Sequence, residues 1–264
     1  GQVFGPYSLG AVYSCDQYYE MRAAAIAAAD ADVNFTQFTR IFIVFPSPGG
    51  CSWAGLGMLG CGSMSSADGS FQASTSWLLA SYMGSTDNGV KLATHEGGHN
   101  LTLHHSSSRD FGTEAVGPLG MTGTLSEYGD THSTMGSWNF GHYPAQHKVQ
   151  MGWLPSSNVT TVETTGSHSI LPFENNVLGV QALKVRRGTG GDSWLWLEYR
   201  QPIGLFDSTL NSQLYGGALV HMQDNITGTH THLVDFTTST SSFSDAALTG
   251  AWTSSPWRTS TRIA

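Results

Sequence analysis

Apolar and polar residues change rhythm along the chain, and each change predicts an element. Residues 18–32 carry an alanine-rich run around Met21 and Ile26. Alanine is the strongest helix former, so a helix is expected there. Residues 41–45 (IFIVF) form an unbroken β-branched and aromatic run, which reads as a buried strand. Residues 46–70 are dense in Gly, Ser and Cys and read as loop. The run SWLLASYM at 76–83 suits a strand or a helix, and a strand is preferred. Asn88-Gly89 then signals a turn, and residues 90–103 a second helix.

Beyond Trp153 the texture shifts. Short runs at 160–165, 169–172, 180–186, 194–199 and 218–222 have strand length and are separated by Gly, Asn, Asp and Pro. This predicts an α+β fold class, with a first domain at 1–154 and a β-rich second domain at 155–264. There is no internal repeat, and TTSTSS at 237–242 is the one low-complexity tract.

Charge and composition narrow the function. The net charge is −8 and the chain has few lysines, so no basic cluster is present to release counterions from nucleic acid. Charged residues make up 11%, against about 25% in ordinary soluble domains. Ser, Thr, Gly and Asn take over the polar surface, as suits an extracellular protein. No apolar run reaches the ~18 residues of a membrane span. The chain starts at Gly1 without an initiator Met, which reads as a processed, secreted form, and a monomer is expected. Cys15, Cys51 and Cys61 are an odd set. Cys51 and Cys61 flank a glycine-rich loop and are the favoured disulfide, worth about 2–3 kcal/mol; three buried thiols are the alternative. Asn-x-Thr triplets begin at Asn34, Asn100, Asn158 and Asn225. Asn34, Asn158 and Asn225 are glycosylation candidates, whereas Asn100 lies inside the motif below and reads as accidental.

The chemistry concentrates at His95-Glu96-Gly97-Gly98-His99 and the residues after it. Histidines at i and i+4 of a helix lie one turn apart on the same face and can meet one zinc ion at ~2.0–2.1 Å. Glu96 follows the first histidine, so its carboxylate can reach a zinc-activated water as general base without ligating. His105 stands six residues after His99, the spacing of HExxHxxGxxH. His104 is its nearest rival, and Glu114, Glu127 or Asp110 could complete a different site. Ser133-Thr134-Met135-Gly136 matches the methionine turn that underlies the metal in such proteins.

These segments resemble the gametolysin-like metallopeptidases of the metzincin clan. The resemblance rests on HEGGHNLTLHHS, EYGDTHSTMG and NFGHYPAQHKVQMGWL, with softer matches in VFPSPGGCSWAGLGMLG, LEYRQPIGLFD and GALVHM. It implies a metzincin-like catalytic domain and hydrolysis of internal bonds in protein or peptide substrates. It further implies zinc on His95, His99 and His105, Glu96 as base, and Met135 as apolar support. The family has glycine where this chain has Thr102, a position that turns the chain back through positive φ. A β-branched residue there costs roughly 1–2 kcal/mol.

Tyr143 is a substrate-cleft candidate, and the strand at 77–83 is expected to rim the cleft and pair with substrate. Asp87, Asp110 and Asp130 could contribute to structural calcium. His230 and His232 would share one strand face, and packing is their preferred role. The rival reading is a catalytically silent secreted module, zinc-binding or associated with cell wall or carbohydrate, that keeps the same fold. A zinc enzyme acting on a non-protein amide or ester is a further alternative.

Overall fold

A computed structural model of the chain describes residues 1–187, 194–223 and 230–249, and the backbone of 252–253 and 262–263. The class is mixed α+β, and the chain falls into two units, Gly1–Leu103 and His104–Ala264. The division comes well before Pro155, because strands from 106–126 join the sheet built by the later strands. Among the described residues no helix is long and apolar enough to cross a membrane.

In the first unit, α1 (Tyr18–Ala29) buries Met21, Ile26 and Ala29. It stops short of Asp32, whose backbone N–H, like that of Val33, returns to the Ala29 carbonyl. Strand β1 (Arg40–Phe45) is followed by β2 (Gly55–Gly57) and β3 (Gly62–Ser66), so the expected loop at 46–70 holds two strands. β4 (Gly69–Leu79) is the long central strand, and Ala80–Tyr82 is a 3-10 turn rather than its continuation. β1 pairs with β4 in parallel, while β2 and β3 pair with it antiparallel. Both sides of β4 are thus engaged, and the sheet ends in β1 on one side and β2 on the other. The expectation that 77–83 rims a cleft is corrected accordingly.

Helix α2 (Thr86–Asn100) begins where the Ser85 side chain accepts from the Asn88 amide at 3.2 Å. That cap satisfies an orphan donor of the first turn and draws Asn88-Gly89 into the helix instead of a turn. Phe35, Phe71 and Met64 form one core cluster with α1, and Phe45, Trp77 and Leu79 another. The disulfide joins Cys15 to Cys51, with Cα atoms 5.4 Å apart, and Cys61 is free and exposed. The Cys51–Cys61 pairing fails because the chain between them runs out as β2 instead of closing as a loop.

The second unit holds seven strands in the order β6-β5-β11-β10-β9-β8-β7. They are β5 (Ser106–Asp110), β6 (Thr124–Ser126), β7 (Val159–Val162), β8 (Ala182–Arg186), β9 (Trp194–Tyr199), β10 (Ala218–Gln223) and β11 (Thr231–Val234). The pairs β5–β11 and β7–β8 are parallel and the others antiparallel. Residues 169–172 form no strand; Pro172 makes a lone bridge to Tyr199. Short helices α3 (Ala145–Gln150) and α4 (Gly204–Asp207) interrupt the strands, and β12 (Trp252–Thr253) pairs with β13 (Arg262–Ile263). Alternate residues of β8, β9 and β10 bury Val185, Leu195, Leu197 and Val220 in the main core of this unit.

Candidate metal centre

α2 is held to its sheet at unusually close range. A Cβ on Gly55 would stand 2.6 Å from Glu96 Oε1, and one on Gly57 2.6 Å from the Glu96 carbonyl oxygen. Only glycine lets β2 lie so near the helix. Burial pushes the Glu96 carboxyl up to about 8, against a hydrogen bond from the Gly57 amide that lowers it. A cation held beside the carboxylate would draw the value back down. Asn100, at the helix end, is also buried. Its amide donates to the carbonyls of Met58 (3.0 Å) and Thr75 (3.2 Å) and accepts from the Ser76 hydroxyl at 2.9 Å. The triplet starting at Asn100 is therefore structural.

The His95 and His99 rings lie 5.0 Å apart, centroid to centroid, on one face of α2. After Asn100 the helix stops on a left-handed residue: Thr102 has φ 72°. The Thr102 amide donates to the His99 carbonyl and the Leu103 amide to that of Gly98. This double closure is a Schellman end, normally built on glycine. Thr102 thus adopts the conformation that the family's glycine makes easy.

Within this one stretch of chain, ring nitrogens of His95, His99 and His105 lie within 4.8 Å of one another. Among the described residues this is the one group of three or more His, Cys, Asp or Glu so gathered. Asp87, Asp110 and Asp130 form no such group. His99 Nδ1 is 2.8 Å from the Leu103 carbonyl, and His105 Nδ1 is 2.8 Å from Glu127 Oε1. Both partners accept, so each Nδ1 carries a proton, and in the neutral tautomer Nε2 is then the nitrogen that can ligate. Imidazoles with polar partners on their far nitrogens, as His99 and His105 have, suit zinc.

Met135 is fully buried, and its carbonyl accepts from the Ser106 amide, next to His105, at 2.8 Å. Gly136 is required by its turn, since a Cβ there would overlap the Asp130 carbonyl. Asp130 anchors the same region: its carboxylate accepts from Ser106 Oγ (2.6 Å), His221 Nε2 (2.9 Å) and the His132 amide (2.9 Å). Burial alone would raise the Asp130 carboxyl, but His221, His132 and Ser106 hold it well below the usual carboxylate range.

A second buried network lies around Arg200. Its guanidinium pairs with Glu198 at 2.6 Å and Asp207 at 2.8 Å, and donates to the His142 carbonyl at 3.3 Å. The other Glu198 oxygen accepts from the Ala145 amide, which heads α3. Burial, together with Lys148 and Arg200, pushes His142 down to about 3, although Asp207 opposes this. Sequence reading gave these residues no role; LEYRQPIGLFD holds all three charged partners, but only the fold shows them as one network.

Tyr143 packs edge-on against Trp153, 5.7 Å between centroids, and burial raises its hydroxyl pKa. Asn34 is exposed and caps the turn that follows it, accepting from the Thr36 amide at 3.0 Å. Asn158 is buried, its amide nitrogen donating to Val177 and Gln181, so it is corrected as a glycosylation acceptor. Asn225 lies outside the described residues. His230 and His232 have ring centroids 6.3 Å apart, and His230 packs edge-on against His104 at 4.4 Å.

A His-Glu-x-x-His helix followed by a third histidine past a left-handed turn is the donor set of a metallopeptidase. The gametolysin peptidase M11 family model matches residues 3–249, and the chain belongs to that family. It is therefore a peptidase, a hydrolase of protein or peptide substrates whose family implies a metal, typically zinc. Neither a curated protein nor a solved structure matches the chain.

Proposed function

We propose that the chain is a secreted zinc endopeptidase of the metzincin kind, cleaving internal peptide bonds. The observation that carries this reading is the gathering of ring nitrogens from His95 and His99, on the helix that also holds the buried Glu96, with one from His105 beyond the helix end. When bound, zinc supplies a Lewis acid that polarises a carbonyl and brings the pKa of water toward ~7. His95, His99 and His105 would hold it through Nε2. Glu96 takes the proton of the attacking water and passes it to the leaving amine. The Gly57 amide keeps the carboxylate aimed while this happens. The open edge of β2 offers backbone donors and acceptors to an extended peptide beside Glu96.

The Cys15–Cys51 bond and the exposed Asn34 triplet support an oxidising, secretory setting. Replacing Glu96 with Gln tests the assigned base. Zinc content should stay at the wild-type level while hydrolysis of an unfolded protein substrate falls by ~10²–10⁴-fold. Undiminished hydrolysis removes Glu96 from that role. A zinc-loaded wild type that cleaves no peptide would favour the silent-module reading.

A further inference from the structure

We infer that Glu127 is a positioning residue for the metal, setting the tautomer of His105 while Tyr128 holds the ring from its face. The inference rests on His105 being a ligand, as proposed above. Strand β6 pairs antiparallel with β5 in the register Ser108 to Ser126, so the chain after Ser126 runs back toward the start of β5 and His105. Two residues then meet the histidine. Glu127 Oε1 lies 2.8 Å from Nδ1, and the Tyr128 ring is tilted over the imidazole with centroids 4.0 Å apart.

Tyr128 reaches that place in a left-handed conformation, φ 60°, which costs a bulky L-residue roughly 1–2 kcal/mol. The Gly129 amide closes the turn on the Ser126 carbonyl at 3.0 Å. On the other side, Ser106 is tied to the Met135 carbonyl and to the Asp130 carboxylate. His105 is therefore held at its far nitrogen, on its ring face and through the next residue. One of its ring nitrogens lies within 4.8 Å of those of His95 and His99.

The position of Glu127 rules it out as a ligand in its own right. Its carboxylate sits at Nδ1, on the far side of the imidazole from Nε2, and the gathered ligand set does not include it. Magnitude separates the remaining roles. The Glu127 side chain is 65% exposed, and an exposed pair contributes only about 0–1 kcal/mol to folding. A carboxylate behind a ligating histidine changes metal affinity by roughly 10–100-fold. The consequence should thus be read in zinc binding and not in stability.

The test uses the full chain, with Zn2+ affinity measured by competition against a chromophoric chelator and stability followed by urea unfolding of the metal-free protein. Glu127→Ala should weaken zinc binding about 10–100-fold with an unchanged urea midpoint. Glu127→Gln, whose amide oxygen can still accept from Nδ1–H, should recover most of the affinity. With Co2+ in place of zinc, Glu127→Ala should alter the visible ligand-field bands and Glu127→Gln should restore them. Wild-type affinity in both Glu127 variants, while His105→Ala binds poorly, overturns the inference and leaves the ligand assignment standing. Wild-type affinity in His105→Ala overturns the ligand assignment itself. Equal losses of affinity and stability in Glu127→Ala, not rescued by Gln, would make Glu127 merely structural and also overturn the inference.

Discussion

The two units secure their polar groups by different means. In Gly1–Leu103 the partners are mostly backbone: Gly57 for Glu96, Leu103 for His99, and Met58 and Thr75 for Asn100. In His104–Ala264 several key partners are ionisable side chains: Asp130 for Ser106, Glu127 for His105, and Glu198 and Asp207 for Arg200. Backbone partners do not titrate, but they demand close approach and hence glycine. Carboxylates tolerate more varied packing, but they make the second unit depend on pH and on complete pairing. The first unit should be brittle to added volume and the second to lost charge.

The sharpest way to break this contrast is Arg200→Met, which leaves Glu198 and Asp207 buried without their cation. Stability should fall by about 3–5 kcal/mol in urea unfolding. A loss below about 1 kcal/mol would mean that the buried charges are not what holds this region.

Acid comes next. The folded pKa of His142, about 3, lies below its unfolded value near 6.5, so the unfolded chain binds the extra proton between those limits. Stability should hold above about pH 6.5 and decline as pH falls toward 3, by at most about 1.4 kcal/mol per unit from this group. Asp130 adds a further loss as its own low pKa is approached from above. Urea midpoints at stepped pH should show the decline, and His142→Phe, set between Phe173 and Phe206, should flatten it. An unchanged slope in that variant would remove His142 as the cause.

The smallest effect lies in the first unit. Thr102→Gly relieves a left-handed β-branched residue worth roughly 1–2 kcal/mol, offset by the backbone entropy of glycine, about 0.5–1 kcal/mol. The melting temperature should rise by about 1–4 °C. A fall would show that Thr102 contributes more by packing near Gly60 than it costs in strain.

How much of this was legible in the chain depended on the range of the signal. The i, i+4 histidines pointed to one helix face, and α2 supplies it, because helical periodicity is local. The spacing to His105 demanded a sharp reversal, and Thr102 makes it. The apolar runs at 180–186, 194–199 and 218–222 became β8, β9 and β10 because their residues face a core, whereas 41–45 became β1, a strand that is not buried throughout since Phe42 and Val44 are exposed. β5 went unseen because Ser106, Ser107 and Ser108 are buried by pairing and hydrogen bonds, which leave no apolar pattern. Asn88-Gly89 misled because a serine cap outweighed a turn dipeptide. The Cys15–Cys51 bond, the Asp130–His221 pair and the Arg200 network join residues far apart in sequence, where periodicity carries no information.

The central claim is that three imidazoles of this chain share one divalent cation. Anomalous diffraction at the zinc edge, on crystals grown with zinc, tests it most directly. The account predicts one ion about 2.0–2.1 Å from nitrogens of His95, His99 and His105. An empty site, or an ion bound by His104 or a carboxylate in place of His105, would contradict it.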